Sequence, residues 1–154
     1  MATGSCVCGK ATYTLKGQPL ARSAQAICHC HDCRRLTGSA FTYSLQVRKE
    51  DFALFDNSGS TDSATPLLRE TKFTHISGVT MKFSACGDCG TRLYKQVESP
   101  EHEPFLLVQA GTIIDRGGDK DGQGVQVKPD MELWTKHRAS WIPAIDGVVQ
   151  KQEF

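Results

Sequence analysis

The chain has 154 residues, and its 18 basic and 17 acidic side chains leave a formal net charge of +1 at pH 7. That balance supplies no global attraction to nucleic acid or to an anionic membrane, and no apolar run approaches the length of a membrane span. The length fits one domain, residues 1–154, able to bury a core of its own.

Met1 to Ser5 carries neither a basic start nor an apolar stretch, so no secretory leader is read there. It runs directly into Cys6-Val7-Cys8-Gly9, which is read as opening the first strand, Ala11 to Leu15. After the turn residues Lys16-Gly17-Gln18-Pro19 comes a second cluster, Cys28-His29-Cys30-His31-Asp32-Cys33. Asp32 is placed to cap a short helix, Cys33 to Leu36, that stops at Gly38. Phe41 to Val47 alternates as a strand, and Asp56 to Pro66, rich in Ser, Thr, Asp and Gly, reads as a loop. Leu68 to Phe73 and Val79 to Phe83 form a predicted hairpin around Ile76-Ser77-Gly78. A third cluster, Cys86-Gly87-Asp88-Cys89-Gly90, leads into strand Thr91 to Tyr94, and a last strand follows at Phe105 to Ala110. Asp115 to Gly124 is a glycine-rich turn region. The dominant apolar period of two predicts a mainly β, antiparallel protein with little helix. Trp134, Trp141 and Phe154 read as core or lid packing, with His137 and Arg138 as candidates to border a pocket.

All seven cysteines fall in the three clusters. Cysteines one or two residues apart can point their thiolates at one ion, whereas disulfide frameworks join distant residues, and an odd count leaves one unpaired. Without a βαβ context a thioredoxin-like redox pair is the lesser reading. Cys6, Cys8, Cys86 and Cys89 supply four thiolates, the count of a closed structural zinc site. Cys28, Cys30 and Cys33 are left without a fourth cysteine, and three protein ligands plus an open position is the pattern of a catalytic zinc. Two other readings of the trio stay open: a second structural ion completed by His29, His31 or Asp32, and a set of buried free thiols. Reduced, metal-held cysteines suit the cytoplasm or nucleus better than a secreted protein.

Three thiolates leave a zinc complex with a net negative charge, which weakens the metal as a Lewis acid for water and suits an incoming sulfur ligand. A small thiol held as thiolate is a strong nucleophile near neutral pH, so the chemistry expected is formation or cleavage of a carbon–sulfur bond at a carbonyl carbon. Arg34 and Arg35, with Thr37-Gly38-Ser39, are candidates to hold a carboxylate on that thiol, or else form a solvated face. His29 and His31 could move a proton near the bound group, or pack behind it.

Gly4 to Tyr13, Cys28 to Arg34 with Thr37 to Phe41 behind it, and Phe83 to Thr91 together resemble the glutathione-dependent formaldehyde-activating enzyme family, which includes centromere protein V. Weaker similarity runs through Ala110-Gly111-Thr112 and Glu132-Leu133-Trp134 to Arg138 and Trp141. The resemblance implies an Mss4-like fold with the same partition: structural zinc on Cys6, Cys8, Cys86 and Cys89, and an active zinc on Cys28, Cys30 and Cys33. It implies glutathione as co-substrate and a carbon–sulfur lyase-type reaction that joins it to formaldehyde as S-hydroxymethylglutathione. The centromere-associated member implies an alternative, a non-catalytic zinc module that binds a protein partner.

Overall fold

The alternating strands resolve into two sheets in a computed structural model that describes residues 1–16, 24–57, 67–115 and 128–154. In chain order the elements are β1 (Ala2–Ser5), β2 (Ala11–Leu15), β3 (Gln25–Cys28), α1 (His31–Thr37), β4 (Thr42–Arg48) and β5 (Phe52–Asp56). Then follow β6 (Leu68–Thr74), β7 (Thr80–Cys86), β8 (Arg92–Val97), β9 (Phe105–Gln109), β10 (Ile113–Asp115), β11 (Met131–Leu133) and β12 (Val149–Gln150). The smaller sheet has the order β10-β1-β2-β5, and the larger β12-β11-β3-β4-β9-β8-β7-β6. Neighbours are antiparallel except β11, which runs parallel to both β3 and β12. The architecture is mainly β, as the apolar period of two predicts, and suits an Mss4-like fold.

Side chains alternate across a strand, so the larger sheet has two unlike faces. One carries Leu45, Val47, Leu106 and Val108, which pack against Ala2, Tyr13, Leu15 and Ile113 of the smaller sheet to form the core. Tyr13 stacks on Phe52 at 5.1 Å, and its hydroxyl meets Thr112 Oγ1 at 2.7 Å. The opposite face carries Ala26, Ser44, Gln46, Lys95 and Leu107, which form part of a cavity wall.

Ala11–Leu15 is a strand with the predicted bounds, and the predicted hairpin is β6–β7, closed where His75 N donates to Val79 O at 2.8 Å. Two expectations change. Cys6–Cys8 does not open the first strand: it is the turn between β1 and β2, as Cys86–Cys89 is the turn between β7 and β8. The helix is longer, His31–Thr37, and its cap is Cys30, whose sulfur accepts from Cys33 N at 3.2 Å. Asp32 Oδ2 instead accepts from Ile76 N at 2.7 Å, fastening the hairpin tip to the helix. Residues 58–66 of the predicted loop and 116–124 of the glycine-rich turn region lie outside the described residues. Among the described residues no helix is long and apolar enough to cross a membrane.

Candidate metal centres and active site

Both cysteine turns use one backbone device. Cys6 N and Cys86 N donate to the carbonyls of Ala11 and Thr91, while Gly9 N and Gly90 N donate back to Cys6 O and Cys86 O. Closing the turn sets Gly9 at φ +77 and Gly90 at φ +72, a left-handed backbone that a Cβ disfavours. Each cysteine pair is thereby swung toward the other. The Sγ atoms of Cys6, Cys8, Cys86 and Cys89 all lie within 4.8 Å of one another, with Cys6 and Cys8 3.4 Å apart and Cys8 and Cys86 3.8 Å apart. Ala11 N donates to Cys6 Sγ at 3.3 Å, and an ion pair between Lys10 and Asp88 ties the two turns together. Four thiols so gathered can hold one tetrahedral ion.

The second cluster is assembled by a strand end and a helix start. Cys28 closes β3, Cys30 caps α1 and Cys33 lies in its first turn, so their sulfurs also fall within 4.8 Å of one another. All three are buried, at 5%, 0% and 3% exposure. Hydrogen bonds from Cys28 and Cys30 hold the Cys33 thiol down at about 2, and the charge of Lys95 adds to the effect; hydrogen bonds with Cys30 and Cys33, together with burial, drive Cys28 upward. Lys95 is itself buried and donates to Cys33 Sγ at 3.3 Å. Burial works against its charge, but Cys33 and Cys28 more than compensate and hold its pKa above the ordinary 10.5.

His75 approaches from the β6–β7 hairpin, with Nε2 3.1 Å from Cys30 Sγ. Its Nδ1 receives the backbone N–H of Ser77 at 3.1 Å and therefore carries a lone pair, which leaves the ring proton on Nε2 to be donated to sulfur. Burial pushes the His75 pKa down and favours this neutral form. Trp134 packs on the three cysteines from β11's end, held at φ +56, a left-handed conformation costly for a bulky residue.

Cys28 and Cys33 open onto a cavity of about 690 Å³, which also takes in His75 and Lys95. Residues 1–137 match the model of the glutathione-dependent formaldehyde-activating enzyme family. The chain belongs to that family. No curated protein matches it. Among solved structures it is similar to a Rhodobacter sphaeroides protein determined by structural genomics, with a TM-score of 0.52 and 17% identity over 75% of this chain and 91% of that one. At that identity the likeness speaks to fold alone.

The family's three cysteine motifs thus come together as two clusters, while the polar residues predicted around the second cluster scatter. His29 Nε2 faces Glu132 Oε1 at 2.9 Å, His31 stacks on His137 at 4.0 Å, and Asp32 is taken by Ile76. None of these candidate fourth ligands joins the trio, and among the described residues no other His, Cys, Asp or Glu completes the group. Arg34 donates to His137 O at 3.3 Å, Arg35 and Ser39 are exposed, and none of the three lines the cavity. His137 and Arg138 do not line it either, whereas Phe154 does. Trp134 is buried as expected, but Trp141 is 74% exposed and packs in no core. The residues that sequence reading missed are His75 and Lys95. The single available signal was Lys95 itself, a charge set among the apolar positions of a strand.

Glu132 anchors the back of the site. Its carboxylate, 1% exposed, accepts from His29 Nε2, from Ile145 N at 2.9 Å, from Gln150 Nε2 at 2.6 Å and from Arg138 Nη1 at 3.3 Å. Burial alone would raise its pKa, but these donors, led by Ile145 N, outweigh burial and hold it below the ordinary 4.5. A depressed carboxyl contributes stability that is complete above the unfolded-state value, about 4.3, and is lost as pH falls through the folded-state value. Glu132→Gln removes the buried charge that His29 and Arg138 face and leaves one carbonyl oxygen for four donors, and is expected to cost about 3–5 kcal/mol at pH 7. Urea unfolding should show that loss at pH 7 and a smaller gap between variant and wild type near pH 3; an equal gap at both values would refute the role.

Proposed function

We propose that residues 1–154 form one zinc-dependent domain that makes or breaks a carbon–sulfur bond between a small thiol, glutathione in the family's reaction, and an aldehyde. The donor sets fit the metal: four thiols gathered by two turns suit a closed structural zinc, and three buried thiols suit an active one. Bound there, zinc would stabilise the incoming thiol as its thiolate. In the forward direction sulfur attacks the carbonyl carbon, the carbonyl pair moves to oxygen, and that oxygen takes up a proton equivalent to the one the thiol gave. Lys95, in the cavity wall beside Cys33, is the cation placed to meet charge developing on the oxygen. His75 and the Cys33 amide hold Cys30 Sγ by N–H donation, fixing the sulfur's orientation. The observation that carries this reading is a three-thiol cluster, without a fourth protein ligand among the described residues, that faces a cavity.

Zinc stoichiometry on fresh protein, followed by glutathione titration of the cobalt-substituted form, tests it. The expected result is two metals, with thiolate-to-metal absorption of one of them shifting as glutathione binds. Two metals that both ignore glutathione would sink the proposal in favour of a non-catalytic zinc module that binds a protein partner.

A further inference from the structure

The cavity is far larger than formaldehyde needs, and the part of it over Ala26 is too apolar for glutathione's charged backbone, which leaves that part for the other substrate. Its volume of about 690 Å³ is that of a pocket for a drug-sized ligand. The hollow has a cause in sequence. On the cavity face of the larger sheet, the central strands β3 and β4 carry the small residues Ala26 and Ser44, paired across the ladder, while Met81, Leu107, Met131 and Leu133 rise around them. Small residues flanked by long ones leave a trough, and its lining is mostly apolar. Cys28 shares the face of β3 with Ala26, two residues on, so the trough runs up to the thiol cluster.

Charged recognition is sparse there. Glutathione presents two carboxylates, which sites of this kind hold with arginine forks or several lysines. Here Arg34 and Arg35 stay outside, and of the two lysines that line the cavity, Lys95 lies beside Cys33 at the reacting end, which leaves Lys151 alone for a carboxylate. The lining also includes the polar residues Gln46, Ser99, Glu101, His102 and Lys151.

We infer that the carbonyl partner is an aldehyde with an extended apolar chain, which fills the trough over Ala26 while its carbonyl end meets the Cys28/Cys30/Cys33 cluster. This rests on the thiol–aldehyde reading above and replaces formaldehyde, not the bond made: sulfur–carbon forms, the carbonyl oxygen gains a proton, and no oxidant or reductant is required. Each buried methylene should raise affinity about fourfold.

Two measurements on zinc-loaded protein test it. In calorimetric titration with unreactive alcohols, 1-octanol should bind at least tenfold tighter than 1-butanol, and Ala26→Phe should remove that difference; Ala26→Leu serves if the larger side chain prevents folding. Octanol binding no tighter than butanol, or an Ala26 variant that leaves the difference intact, overturns the inference. In an exchange assay of adduct formation with glutathione, octanal should exceed formaldehyde at least tenfold in kcat/KM, and the Ala26 substitution should lower that ratio tenfold. A preference for formaldehyde overturns the apolar substrate while leaving thiol–aldehyde chemistry standing. No acceleration with any aldehyde, despite tight octanol binding, overturns both.

Discussion

Cys86→Ser should leave a chain that no longer unfolds cooperatively, with near-ultraviolet dichroism largely lost at room temperature and zinc content at one or below. The four-thiol cluster joins the β1–β2 turn of the smaller sheet to the β7–β8 turn of the larger. A structural zinc in such a set supplies an apparent ~10–16 kcal/mol, which rivals the whole stability of a domain, about 5–15 kcal/mol. Serine is a poor ligand for zinc, so losing one thiolate forfeits most of that term. The matched comparison is Cys30→Ser. Cys30 caps α1 through its side chain, and serine is among the best capping residues, so the helix start survives while the three-thiol set does not. That variant should remain folded with one zinc and lose thiol-dependent turnover. Equal thermal stability for Cys86→Ser and wild type would mean that the sheets hold themselves together without the metal.

What could be read in the sequence, and what could not, divides along the distance between interacting residues. The cysteine turns are local devices: two thiols, a glycine and a backbone loop within six residues, hence their grouping was visible from spacing alone. β2 was legible because five residues alternate cleanly over a buried face. β3 and β11 were not, since each is short and their parallel pairing, Met131 to Ala26 and Leu133 to Cys28, joins residues about a hundred positions apart. The same distance hid His75 and Lys95, which arrive at the thiols from the β6–β7 hairpin and from β8. Arg34 and Arg35 drew notice by adjacency to Cys33, but on a helix neighbours in sequence point in different directions. Cys33 turns inward, Arg35 turns to solvent, and Arg34 reaches sideways to His137. Chain proximity identified the clustered thiols; it had no power over the residues that surround them.

Lys95→Met should separate activity from stability. A lysine that is 5% exposed and donates to a thiol has a near match in volume in methionine, and removing it destabilises the fold only if the charge it faces is left unbalanced. With zinc bound, the charge of Cys33 would be balanced by the metal in place of the lysine. The fold should therefore tolerate the change, with thermal stability within a few degrees of wild type and zinc content still two. Turnover should fall by about 10²–10³, the usual loss when one donor aimed at developing negative charge is removed from a water-poor site. Lys95→Arg keeps the charge but changes its reach, and should recover only part of the rate. The diagnostic is the split between parameters: kcat should carry the loss while KM for the thiol moves little, because the donor acts on charge that exists only as the carbon–sulfur bond forms. If KM rose and kcat held, Lys95 would be a binding residue for the thiol instead. If zinc content fell to one, its contact with Cys33 would serve the metal set, and charge on the carbonyl oxygen would have to be met by another donor.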